Sequence, residues 1–208
     1  MDYTATLYET LKSLKTPCPE LLKLLGTMYL CISTLIGAVK SQALPLLSVL
    51  IQEMISILEY TMDIRNPSED IWRSRTLLIR SVVSTIASII SDLPSFCHPF
   101  VLQILKICLQ VYSTVKHDVD IVWGEIDRCL GLIISEIPFR TLLPCLEEGV
   151  GNLLALSHTA ARKVCELLGE IQFLPYFPML KDPVKRIEQD EIWKKICAEL
   201  QWEFIPTI

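Results

Sequence analysis

Trp72, Arg73, Arg75 and Arg80 form the one local cluster in this chain with the chemistry to grip a ligand. Guanidinium forks match phosphate and carboxylate oxygens two at a time. The cluster therefore points to an RNA backbone or to an acidic segment of a partner. Arg73 and Arg80 are seven residues apart, which puts them on one face of a helix. The competing reading is a solvated stripe on the side of that helix away from the core.

Reactive chemistry is harder to assemble from the other residues. The sequence has no phosphate loop, dinucleotide fingerprint, zinc-protease motif, nucleophile elbow or CxxC pair. Cys97-His98 is the one adjacent Cys/His pair, and spacing supplies no further ligands for a metal. Glu147-Glu148 and Asp190-Glu191 are neighbours in sequence, so on a helix they do not face each other as a catalytic dyad would. Glu166 and Glu170, beside Arg162 and Lys163, read as surface ion pairing. The expectation is a non-enzyme with no cofactor and no metal.

The net charge of −5 excludes broad nucleic-acid affinity, which needs massed Lys and Arg. Neither half is basic: residues 1–104 hold 8 bases and 9 acids, and residues 105–208 hold 11 and 15. There are 8 cysteines, but Asp2 and Glu9 sit where a secretory leader would be basic and then apolar. Most cysteines lie in apolar helical runs, so reduced, buried thiols in a cytosolic or nuclear compartment are expected. Leu24–Val39 is uncharged but only 16 residues long, and a membrane span needs about 20. A buried helix and no membrane are expected there.

These residues are carried by a pattern of paired apolar helices. Leu44-Pro45, Leu93-Pro94, Ile137-Pro138 and Leu174-Pro175 each separate two apolar runs, with the prolines 49, 44 and 37 residues apart. Stacked helical hairpins of the HEAT or armadillo kind repeat roughly every 40–47 residues. The pattern predicts an all-α, HEAT/armadillo-like helical-repeat solenoid of about four antiparallel helix pairs, near 21–60, 67–114, 118–156 and 159–201, with a 202–208 tail. A short helix over 1–15 precedes them, with Leu7, Leu11 and Leu14 on one face. Asn66 as cap, Pro67 as first helical residue and Glu69 as capping-box acid would open the second pair. Leu105 in the second pair and Ile133 in the third belong to predicted core stripes.

Three stretches carry a family resemblance: LLGTMYLCISTLIGAVKSQALPLLSVLIQEMISIL (Leu24–Leu58), LLIRSVVSTIASIISDLPSFCHPFVLQIL (Leu77–Leu105) and IISEIPFRTLLPCL (Ile133–Leu146). Together, over about residues 20–155, they resemble the HEAT repeat-containing protein 1 family, whose fungal members are called U3 small nucleolar RNA-associated protein 10. The resemblance implies a piece of a long solenoid that acts as a scaffold of the small-subunit processome in the nucleolus. It implies processome proteins as partners, with precursor ribosomal RNA or U3 small nucleolar RNA in the complex. A cytosolic repeat adaptor binding linear peptide segments is the alternative. Apolar surface at open ends of the array would favour self-association.

Overall fold

The computed structural model describes residues 17–64, 67–114 and 120–138, together with positions 4, 6, 9, 10, 13, 140–142, 145, 194, 195, 197–199 and 201. Among these residues every regular element is helical. The chain is all-α. In order, the described helices are α1 (Pro19–Val39), α2 (Leu44–Asp63), α3 (Glu69–Asp92), the short α4 (Pro94–Cys97), α5 (Val101–Thr114) and α6 (Asp120–Glu136). Single 3-10 turns at Lys40–Ala43 and His98–Phe100 join α1 to α2 and α4 to α5.

Proline sets several of these boundaries. Pro19, Pro45 and Pro94 lie in the first turn of α1, α2 and α4, where the missing N–H would have had no helical partner. Lys40, at φ 46° and ψ −117°, closes α1 with a positive φ. This reverses the chain and turns α2 back. The start of α3 corrects one expectation. Ser68, not Asn66, occupies the cap position, in extended conformation with its carbonyl accepting from the Trp72 N–H at 2.8 Å. Pro67 lies before the helix, and Glu69 is the first helical residue rather than a capping-box acid. Between α3 and α5 the chain forms the short α4 and a 3-10 turn, because Pro94 and Pro99 each remove a backbone donor.

α3 is the central element. It packs lengthwise on α1 and also against α6, while α2 lies beside α5 and α5 against α6. α1 and α3 run parallel. Gly26 faces Leu78 and Ser81, the Tyr29 carbonyl accepts from Thr85 Oγ1 at 3.0 Å, and Gly37 faces Asp92. α5 and α6 run antiparallel, since Cys108 meets Cys129 and Tyr112 stacks on Trp123 at 4.9 Å between ring centres.

The core follows the 3.6-residue period. Leu47, Leu50, Ile51, Met54, Ile57 and Leu58 from α2 join Leu78, Val82, Ile86 and Ile90 from α3, Leu105 and Cys108 from α5, and Ile126, Leu130 and Ile133 from α6. The stripes that contain Leu105 and Ile133 are thus core stripes. Hydroxyls inside this core turn back on their own helices. Ser74 Oγ donates to the Asp70 carbonyl, Ser81 Oγ to Leu77 and Thr85 Oγ1 to Ser81, so these three hydroxyls each have an acceptor.

α1 departs from the buried helix expected of it. Its side toward α3 is sealed, but Leu24, Leu30, Leu35 and Val39 are 41–61% exposed. Two stretches, Pro19–Asp63 and Pro94–Tyr112, are long and apolar enough by composition to cross a membrane. The first is broken by the reversal at Lys40. The neighbour along α1 is α3, which bears Glu69, Asp70, Arg73, Arg75, Arg80 and Asp92.

Candidate functional site

The arginine cluster occupies the N-terminal half of α3, and the helix sends its members in different directions. Arg73 and Arg80 do share one exposed face, with the half-exposed Leu77 between them. Arg73 Nη2 is committed to Glu69 Oε1 four residues earlier. Both side chains are largely in water (65% and 76% exposed), where such a pair contributes only a few tenths of a kcal/mol. Arg75 points away from that stripe, toward the side that carries Ile71, Leu78 and Val82. It is half-buried, and its Nε is shut off from solvent without a hydrogen-bond partner. Burial holds the Arg75 guanidinium below its ordinary pKa. Trp72, one turn before it, is 37% exposed.

The face continues onto α6 through a residue that the sequence did not single out. Arg128 Nη2 donates to Ser84 Oγ at 3.1 Å and to the Ser84 carbonyl at 3.3 Å. Its Nε pairs with Glu125 at 3.0 Å. Arg128 and Ser84 are 44 residues apart, so only the packing of α3 on α6 makes them neighbours.

The other candidate chemistry stays dispersed. Among the described residues no group of three or more His, Cys, Asp or Glu could hold a metal. Cys97 is fully buried, and burial pushes its thiol up to about 12, whereas a metal ligand must be a thiolate. His117, His158, Glu147-Glu148, Glu166, Glu170 and Asp190-Glu191 lie outside the described residues. An open depression of about 460 Å³ is lined by Leu44, Asp92, Leu93, Pro94, Ser95 and Phe96. It offers one carboxylate and no converging acid–base pair.

The thiols have a consequence for stability. Cys108 Sγ lies 3.9 Å from Cys129 Sγ, both fully buried. The thiol–thiol contact with Cys108, which favours the protonated form, and then burial hold the Cys129 thiol well above its ordinary value. Cys97 and Cys129 therefore keep their protons in the folded chain at pH values where the unfolded chain loses them. The folded state binds more protons above pH 9, the ordinary thiol value, up to about pH 12. Stability is then full below pH 9 and falls through that window, by about 1.4 kcal/mol per pH unit for Cys97, with Cys129 acting in the same direction. Urea midpoints measured from pH 8 to 10.5 should fall, and Cys97→Ala should flatten the slope. A midpoint independent of pH would show that these thiols are not sealed.

Comparison with known proteins places the recognisable part of the chain elsewhere. Residues 161–204 match the family described as Poxvirus Late Transcription Factor VLTF3 like. The chain is 61% identical over 46 residues to "Putative transcription factor A494R" of Paramecium bursaria Chlorella virus 1, covering 22% of this chain and 13% of that protein. It is 41% identical over 71 residues to "Putative transcription factor R429" of Acanthamoeba polyphaga mimivirus, covering 34% of this chain and 16% of that protein. The chain thus spans less than a fifth of either curated relative. No solved structure matches it.

These findings overturn the resemblance to the HEAT repeat-containing protein 1 family. The processome scaffold, its processome-protein and U3 or precursor ribosomal RNA partners, and the cytosolic adaptor reading fall with it. The family match lies over 161–204, the stretch assigned to the fourth helix pair. In that segment Lys194 and Lys195 are exposed, while Cys197 is fully buried. Periodicity carries no signal for it. What marks it is the family match.

Proposed function

We propose that this chain is a non-catalytic part of a transcription apparatus, of the kind named by the viral late factors it resembles. One observation carries this reading: 61% identity over 46 residues to a viral protein named as a transcription factor, together with the family match at 161–204. In this proposal residues 161–204 engage the transcription machinery. Helices α1–α6 form a body of stacked hairpins in the manner of a HEAT-like array. The parallel course of α1 and α3, with α2 beside α5, supports that stacking. Such a body offers surface rather than a reactive pocket.

The test is association with RNA polymerase. Tagged full-length chain, expressed in cells of its own source, should co-purify polymerase subunits identified by mass spectrometry. The double variant Lys194→Glu/Lys195→Glu changes exposed side chains, and it should fold normally and lose them. Equal recovery of polymerase with the parent and with a chain lacking 161–204 would reject the proposal.

A further inference from the structure

We propose that Arg75, with Trp72 one turn before it, is a docking point for a carboxylate presented by a protein partner. The inference stands apart from the transcription reading, since it concerns α3 and not residues 161–204.

The argument begins with cost. A guanidinium drawn partly out of water loses hydration that only hydrogen bonds or an opposite charge restore. The neighbouring cations have such compensation. Arg73 has Glu69, and Arg128 has Glu125 together with Ser84. Arg75 has neither: its Nε is sealed and unpartnered, and no carboxylate among the described residues pairs with it. Its setting is apolar, between Ile71 and Leu78 on the same side of the helix. The sealed Nε is as closed to a ligand as it is to water, so what a partner's carboxylate can meet is the rest of this half-buried guanidinium, whose charge no described residue compensates.

Charge and geometry favour a carboxylate over nucleic acid. A phosphate backbone is held by several cations at once, whereas Arg75 faces away from Arg73 and Arg80 and acts singly. The chain as a whole is acidic, at −5. A lone, partly desolvated guanidinium suits one carboxylate in a two-pronged pair. Trp72, 37% exposed beside it, adds a flat apolar surface. Trp and Arg together are the side chains most often found to dominate protein interfaces.

The experiment uses the full chain and a fluorescein-labelled dodecapeptide of glutamate and leucine, read by fluorescence polarisation. Binding is expected, weakened about tenfold or more by Arg75→Leu and partly preserved by Arg75→Lys. Trp72→Ala should weaken it severalfold, and Arg73→Leu should change it less than about twofold. Thermal melting gives an independent readout, because removing an uncompensated charge should leave the Arg75→Leu variant at least as stable as the parent. The proposal fails if Arg75→Leu melts several degrees lower, which would make Arg75 a structural residue. It also fails if the peptide does not bind, or if a single-stranded oligonucleotide of twelve nucleotides binds more tightly and depends on Arg75.

Discussion

Replacing Tyr29 by alanine should destabilise the fold by about 3–5 kcal/mol, the range for deleting a buried aromatic ring. Tyr29 is fully buried in α1, and its ring, hydroxyl and backbone hold three helices together. The hydroxyl donates to Glu53 Oε1 on α2 at 2.8 Å. The carbonyl accepts from Thr85 Oγ1 on α3 at 3.0 Å. Alanine leaves a ring-sized void and removes the donor to Glu53, while the Thr85 bond to the backbone stays available. Tyr29→Phe separates the two effects: it keeps the ring and drops the hydroxyl, at a cost near 1 kcal/mol. Urea denaturation followed by circular dichroism would measure both. A Tyr29→Ala variant that unfolds at the parent's midpoint would mean that the three helices do not meet at this residue.

The second large effect is at Gly26. A β-carbon built there would lie 3.3 Å from Ser81 Oγ and 3.4 Å from the Leu78 α-carbon. The serine can give a little, but the α3 backbone cannot. Gly26→Leu would force α1 away from α3 along their parallel contact, and should cost about 3 kcal/mol, the upper end of the range for overpacking. Gly26→Ala sets a gain in helix propensity of about 1 kcal/mol against the tight contact, so it should come out near zero. Gly124 and Gly131 in α6 supply the contrast, since a β-carbon at either meets nothing within 4 Å among the described residues. Gly131→Ala should therefore stabilise by about 0.5–1 kcal/mol. Parallel melting curves of the three variants test the ordering. Equal stability of Gly26→Leu and the parent would rule out the close approach.

The mistaken family resemblance has a physical origin. Leucine–proline punctuation between apolar runs meets requirements that any stacked amphipathic hairpins share: a proline tolerated in the first turn of a helix, and an apolar face every 3.6 residues. Pro45 and Pro94 satisfy those requirements whatever the chain does for a cell. A match built on them reports packing, not ancestry. The family match at 161–204 and the 61% identity over 46 residues to a viral protein do not depend on that punctuation.

From its sequence alone the chain was bound to be helical. Local periodicity and proline placement act within one turn, and they set the helix positions and the faces of α2, α3, α5 and α6 that enter the core. The sequence also placed Arg73 and Arg80 together, because a seven-residue spacing is a property of any single helix. Only the tertiary structure separated Arg75 from them, since burial depends on which neighbour covers each side of α3. Packing likewise brought Arg128 to Ser84, Cys108 to Cys129 and Gly26 against Leu78. Contacts between residues 21 to 52 positions apart come from helices settling against one another, and no local pattern encodes them.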